Sequence, residues 1–393
     1  MAANDTRLGP NRGGSSPADK TSPLPPYSLV TDAAAWADCV RELSTVERLA
    51  IDLEANSMYA YQERTCLIQV STDAADFVID PLAKIDLREL GAIIADPAVE
   101  KVFHAAEYDL ILLQRDYGWQ LNNLFDTMWA ARILGYSQIG LASLLEKFFE
   151  VHTSKRFQKA NWCHRPLSVA ELSYAQMDTH FLLRLRDRLA AELEAREHTA
   201  EAAEIFVEQS RVRIPENGFD PDAFWSVNGT HELSPGQQAT LKALFIFRDR
   251  EARRRDLPRF KVLGDRTLIE LATDLPRGSA DLNKIYGMTE RQQQRFGKAL
   301  LELIASTRNA PSPDPPRRSR KPSDSVLNRY DRLHQWRKAR ARKRGVESDV
   351  IMSREALWAI AQNPPRSLEE LVALDTLGPW RLATYGREVL ELI

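Results

Sequence analysis

Asp52 and Glu54 close the apolar run Leu49-Ala50-Ile51 with only Leu53 between them. On a β-strand alternate side chains share a face, so both carboxylates point one way while Ile51 and Leu53 point into a core. Like charges that close repel, and a divalent cation between them is a natural relief. The plainer reading is a solvated strand end. Glu107 and Asp109 are two more acidic candidates, in the first turns of a helix that follows the expected strand at residues 101–104. Asp126 stands directly before Thr127 and an apolar helix, where capping outweighs metal binding. Tyr174 and Asp178, four residues apart, lie one above the other on a helix; alone, such a pair is a surface hydrogen bond.

These residues need elements to position them. Residues 32–43 read as a helix capped by Thr31 or Asp32, with Ala33, Trp36, Val40 and Leu43 along one face. Residues 48–53, 65–71 and 76–80 read as three strands of an antiparallel meander. A helix at 86–95 leads to a fourth strand at 101–104, a helix to Tyr117, and a brief fifth strand at 123–125. The longest amphipathic helix spans 168–193, opened by a capping box of Ser168 and Glu171. The pattern gives an α/β domain with a mixed five-stranded sheet and helices on its faces.

At 393 residues the chain is expected to hold two or three domains, and 44% hydrophobic with 27% charged residues describes a soluble protein. No window approaches 18 apolar residues, so no membrane span is expected. The first 27 residues, rich in Gly, Pro, Ser and Asn, read as a disordered tail without a secretory apolar core, which implies a cytoplasmic protein. Cys39, Cys66 and Cys163 fit neither a metal-ligand spacing nor a disulfide framework, so packing is their expected role. The net charge of −2 hides a split. Residues 236–393 carry 31 Lys+Arg against 20 Asp+Glu, or +11; the totals of 53 and 55 leave 22 against 35, or −13, for residues 1–235. A basic region joined to a carboxylate-bearing one suggests a polyanion held by the first and processed by the second, against the plainer reading of ordinary solvated surface.

Asp52-x-Glu54 on a first strand, Asp109 after a fourth, and Tyr174-x-x-x-Asp178 on a late helix follow the order of the three motifs of the DEDD exonucleases, and the tyrosine resembles the DEDDy branch. Residues 65–71 (TCLIQVS), Phe125-Asp126-Thr127 and Trp162-x-x-Arg165-Pro166-Leu167 are similar to the ribonuclease D family in particular. The resemblance implies a ribonuclease H-like fold and a 3′→5′ exoribonuclease that releases nucleoside 5′-monophosphates, with tRNA precursors or other structured RNA as partner. It implies two divalent ions, Mg²⁺ or Mn²⁺, on Asp52, Glu54, Asp109 and Asp178, and a water-orienting role for Tyr174. Hard oxygen ligands suit those ions, and phosphodiester hydrolysis needs what two ions roughly 4 Å apart supply. His104, Gln69 and Arg165 are candidate substrate contacts, with Arg64 behind them; a structural histidine is an equal reading for His104. Lys155, Arg156 and Lys159 form a basic loop where phosphate contact competes with solvation. A DNA exonuclease and a non-cleaving RNA scaffold are the rival functions. No membrane and no obligate protein partner are expected.

From about Leu241 the chain repeats itself at an offset of 89 residues: Phe247-Arg248 matches Trp336-Arg337, Leu268 matches Leu357, Pro276 matches Pro365, and residues 301–304 recur as 390–393. Each copy reads as a long basic helix, short helices and a final helix, and resembles the HRDC domain, an auxiliary nucleic-acid-binding module. The second copy has Glu347 where the first has Pro258. The expected division is a tail at 1–27, a nuclease domain at 28–200, a connector at 201–235, all-α HRDC domains at 236–308 and 326–393, and a Pro/Arg linker at 309–325. Arg317-Arg318-x-Arg320-Lys321 in that linker adds phosphate contacts or is plain solvated chain, the second being preferred.

Overall fold

A computed structural model describes residues 24–214, 218–315 and 321–393. Most of the expected tail, and Arg317, Arg318 and Arg320 of the linker, lie outside the described residues. The chain opens with β1 (Ser28–Val30) and α1 (Ala33–Leu43), capped by the Asp32 carboxylate on the N–H groups of Ala34 and Ala35. Then come β2 (Arg48–Ala55), β3 (Thr65–Ser71), β4 (Asp76–Ile79), α2 (Arg88–Ala95), β5 (Glu100–Phe103), α3 (Glu107–Tyr117), β6 (Leu124–Asp126), α4 (Thr127–Ile133) and α5 (Leu141–Phe149). The sheet order is β1-β4-β3-β2-β5-β6, with β2, β3 and β4 antiparallel and β5 and β6 added in parallel. It has six strands where five were expected. The extra strand is the three-residue β1, too short to carry a period, whose pairing with β4 supplies what its sequence does not.

The face parity expected of β2 holds. Ile51 and Leu53 join Ile68, Val70, Phe77 and Ile79 in the main core beneath α1 and α2. Asp52 and Glu54 share the other face with Leu67, Gln69 and Val78, and that face is covered by α6 (Val169–His180). All seven residues of β3 are buried, as suits a central strand covered on both sides.

The capping box of Ser168 and Glu171 opens α6, but the expected single helix 168–193 breaks at Phe181 into α6 and α7 (Leu182–Ala195). The reason lies in what each half packs on. Thr179 accepts from the Ser71 hydroxyl (2.7 Å) and His180 Nδ1 lies 2.8 Å from Asp76, so α6 is tied to the sheet, while α7 turns away onto α4.

Residues 201–235, read as a connector, are instead shared between neighbours. In α8 (Thr199–Ser210), Ala202, Ile205 and Phe206 belong to the nuclease core, and Phe224, Trp225 and Val227 enter the core of the first helical bundle. That bundle is α9 (Pro235–Arg255), α10 (Arg259–Val262), α11 (Asp265–Asp274), α12 (Ser279–Leu282) and α13 (Glu290–Thr307). The second is α14 (Asp324–Arg344), α15 (Ser348–Ile351), α16 (Arg354–Gln362), α17 (Leu368–Ala373) and α18 (Pro379–Glu391), each element starting 89 residues after its counterpart.

Both bundles are seated on the nuclease domain. Tyr61 donates its hydroxyl to Asp249 (2.7 Å) and its backbone N–H to Asp256 (3.0 Å) of the first. Arg344 of the second pairs with the fully buried Glu201 (2.5 Å), Asp349 pairs with Arg132, and Val350 enters the nuclease core.

The cysteine expectation is corrected in part. Cys66 on β3 and Cys163 form a disulfide with Cα atoms 4.9 Å apart, closing a separation of 97 residues, while Cys39 is free and buried. Among the described residues no helix is long and apolar enough to cross a membrane.

Candidate active site

Three secondary-structure junctions bring the acidic residues together. β2 delivers Asp52 and Glu54 from one face, and α6 lays Asp178 over them; one carboxylate oxygen from each of the three lies within 4.8 Å of the others. The third junction is the tight passage from β5 to α3. Ala105 adopts a left-handed conformation (φ 64°), which costs a non-glycine residue about 1 kcal/mol. Asp126 holds it in place by accepting from the N–H groups of Ala105 (3.1 Å) and Ala106 (2.8 Å), while also capping α4 through Met128 and Trp129. The capping role expected of Asp126 is thus met and extended: it fixes the start of the helix that carries Asp109. Asp109 is buried and stands outside the mutual set of three, close enough for its charge to act on Glu54.

Burial raises the Asp52 carboxyl to about 7. Burial, then the charges of Asp52, Asp178 and Asp109, push Glu54 to about 10. Asp109 and Asp178 are raised well above the ordinary range, first by burial and then by Asp52. Beyond burial, the charges bearing on these groups are negative ones. Four carboxyl groups forced together in this way cannot all ionise unless positive charge joins them. The donor set therefore fits divalent cations of the hard, oxygen-seeking kind.

Tyr174 faces the same cluster from one turn before Asp178. Burial and the charges of Asp178, Glu54 and Asp52 raise its ionisation above the ordinary phenol value, so the hydroxyl stays protonated at neutral pH. Its ring is held by Trp162 and Phe157, both with centroids 5.9 Å away. Tyr174 and Asp178 line a cleft of about 860 Å³ with His104, Lys155, Phe157 and the N-terminal stretch from Leu24 to Tyr27. Burial lowers His104 to about 4, so it is neutral at physiological pH. Thr127 gives its hydroxyl proton to the Phe103 carbonyl (3.0 Å), so the 2.9 Å contact with His104 requires Nδ1–H to donate and leaves Nε2 as an acceptor.

A family model described as 3′-5′ exonuclease matches residues 27–194, and one described as HRDC domain matches residues 237–304 and again 326–393. A ribonuclease D from Zymomonas mobilis is 30% identical over 376 residues, covering 93% of this chain and 94% of its own. The chain belongs to the ribonuclease D family. The crystal structure of Escherichia coli ribonuclease D, "an exoribonuclease involved in structured RNA processing", superposes with a TM-score of 0.65 at 24% identity, covering 93% of this chain and 98% of that one; the agreement concerns the fold. An exosome complex component 10 homolog from Caenorhabditis elegans is 35% identical over 293 residues, 72% of this chain. The chain spans 33% of that relative's length, so the likeness reaches only part of it.

The ribonuclease D-like motifs outside the carboxylates do structural work. All five N–H groups of Arg165 are engaged: two on Asp80 (2.6 and 2.7 Å) and the rest on the carbonyls of Trp162, His164 and Cys66. Arg165 therefore braces the loop behind Tyr174 and has no donor left for a substrate phosphate. Gln69 is 0% exposed and cannot meet a substrate either. Arg64 is exposed and lines a cavity of about 900 Å³ between the nuclease domain and the first bundle, with Arg253 and Phe260 opposite. Of the basic loop, Lys155 borders the cleft, Arg156 stacks on Phe157 at 5.1 Å, and the Lys159 carbonyl accepts from the Tyr59 hydroxyl. Sequence reasoning missed the ties that hold α6 down, Ser71 to Thr179 and Asp76 to Gln176 and His180. Their signal was faint: Ser71 and Asp76, two polar residues at the paired ends of β3 and β4.

Proposed function

We propose that this chain is a metal-dependent 3′→5′ exoribonuclease that removes nucleoside 5′-monophosphates from the free 3′ end of structured RNA, tRNA precursors among them, in the cytoplasm. The observation that carries the reading is the convergence of Asp52, Glu54 and Asp178 within 4.8 Å, with Asp109 behind them and Tyr174 alongside. Asp52, Glu54, Asp109 and Asp178 would hold two divalent ions, Mg²⁺ or Mn²⁺. When bound, such ions relieve charge on the phosphoryl oxygens and make a water more acidic.

Hydrolysis adds water across the terminal phosphodiester: an O–P bond forms, the P–O3′ bond breaks, and the 3′ oxygen of the shortened chain takes a proton. Tyr174, kept protonated, orients the attacking water through its phenol oxygen, and the rings of Trp162 and Phe157 keep that oxygen aimed. His104, neutral with Nε2 as an acceptor, receives a hydrogen bond from a hydroxyl of the terminal nucleotide. The nuclease domain, residues 28–200 in this reading, does the chemistry, and the helical domains at 236–308 and 326–393 hold the body of the RNA through their positive balance.

Matched RNA and DNA oligonucleotides labelled at the 5′ end, incubated in Mg²⁺, in Mn²⁺ and in EDTA, test this. A descending ladder on RNA alone, abolished by EDTA, is expected. Cutting confined to DNA favours a DNA exonuclease, and binding without cutting in either metal favours a scaffold.

A further inference from the structure

Gln69 occupies the middle of β3 and is fully buried, yet neither its Oε1 nor its Nε2 has a hydrogen-bond partner among the described residues. A primary amide left unpaired at both ends inside a protein calls for a partner that arrives with function, because burial without one is costly and rare. Trp162 Nε1, packed on the same face, is likewise unpaired, while two neighbouring polar groups there are already engaged. Ser71, two residues on, gives its hydroxyl to Thr179, and Asp76 is taken by Gln176 and His180. Across β4 the register neighbour is Val78, which is apolar. Across β2 the register neighbour is Asp52. Side chains directly opposite in an antiparallel pair stand about 5 Å apart at Cβ, within reach of an amide and a carboxylate.

We propose that Gln69 is a positioning residue for the metal centre, its Nε2–H donating to the Asp52 carboxylate when that carboxylate turns to hold a cation. A carboxylate that binds a metal through one oxygen has a second oxygen to satisfy, and a fixed donor there sets the orientation of the first. An amide suits the task better than lysine or arginine, because it donates without adding a positive charge that would compete with the ion. This inference rests on the metal reading given above. It also replaces the expectation that Gln69 touches substrate, since the side chain has no path to the cleft.

The test measures Mn²⁺ binding to the full chain without RNA, by the electron paramagnetic resonance signal of free Mn²⁺, for the parental protein, Gln69→Met and Asp52→Asn. Thermal unfolding of each is followed in EDTA. Gln69→Met is expected to weaken Mn²⁺ binding roughly 10- to 100-fold. Its unfolding midpoint in EDTA should equal or exceed the parental one, since the substitution keeps the volume and removes the unpaired amide. Parental Mn²⁺ affinity in Gln69→Met overturns the inference, and a lowered midpoint in EDTA with unchanged affinity identifies a merely structural side chain. If Gln69→Met does not fold, the side-chain NH₂ resonances of Gln69 in the parental protein decide: a shift on adding Mg²⁺ supports the assignment, and unmoved resonances overturn it. If the parental chain binds no Mn²⁺, or Asp52→Asn binds it as tightly as the parental chain, the metal reading itself falls and takes the inference with it.

Discussion

Tyr174 and the carboxylates under it differ in what their removal should do. The phenol is held protonated by burial and by the charges of Asp178, Glu54 and Asp52, which suits the orienting role proposed for it. Tyr174→Phe keeps the ring between Trp162 and Phe157 and loses only that oxygen. Steady-state kinetics on a labelled RNA should show kcat reduced roughly 100-fold with little change in KM. Asp52→Asn and Asp178→Asn should abolish hydrolysis while an electrophoretic mobility assay still detects RNA binding; parental cleavage rates in either variant would remove them from the site. At this scale the sequence was most legible where a period governs direction, two residues for Asp52 and Glu54, four for Tyr174 and Asp178. It was least legible where burial decides the role. Gln69 and Arg165 have residue types that contact phosphates, and nothing in their spacing says that one is sealed under α6 and the other spent on Asp80 and three carbonyls.

The turn from β5 into α3 and the anchoring of α6 are where elements, not single groups, set the geometry. Asp126→Ala removes the cap of α4 and both hydrogen bonds that hold Ala105 and Ala106. The expected cost is about 2–3 kcal/mol in chemical denaturation. Ala105→Gly should be neutral or stabilising by up to about 1 kcal/mol, because φ 64° suits glycine. Asp76 anchors the end of α6. Burial pushes its carboxyl up, but hydrogen bonds with His180 and Gln176 outweigh burial and hold it below its ordinary value of 3.8. A carboxylate with a lowered folded pKa stabilises the fold above its unfolded value and loses that contribution as pH falls through the folded one. Thermal unfolding followed from pH 6 down to pH 2 should therefore steepen below about pH 4, and Asp76→Asn should flatten that acid limb; an unchanged limb would show that the anchor lies elsewhere. The helix starts at Asp32 and Ser168 were readable because capping is local. The break at Phe181 was not, since it reflects which distant surface each half covers. The Cys66–Cys163 pair was hidden for the same reason, its partners meeting only after 97 residues of fold.

Across the whole molecule, the two bundles repeat in sequence but not in self-sufficiency. In the first, Thr289 caps α13 with its own hydroxyl. The matching α18 starts at Gly378-Pro379 with no side-chain cap of its own, and Glu204 of α8 accepts from the N–H groups of Trp380 (2.6 Å) and Arg381 (3.2 Å). The same Glu204 and Glu208 compensate the Arg381 guanidinium, which is almost wholly buried. Glu204→Ala should cost about 2–3 kcal/mol and give the second bundle a separate, earlier transition in calorimetry. Gly378→Ala should do the same, because a Cβ there would meet the Glu204 side chain at 2.2 Å. A single unsplit transition in both variants would refute the dependence. The repeat itself was plain in the chain; that its copies had become unequal was visible only once Glu204 was seen at the second. Since Tyr61 moors one bundle and Glu201 and Glu204 the other, the Pro/Arg stretch joining them behaves as a bridge laid between two piers on the same bank. Severing it with a protease at an engineered site should yield two polypeptides that still migrate as one particle in gel filtration, and the cut enzyme should keep its grip on RNA.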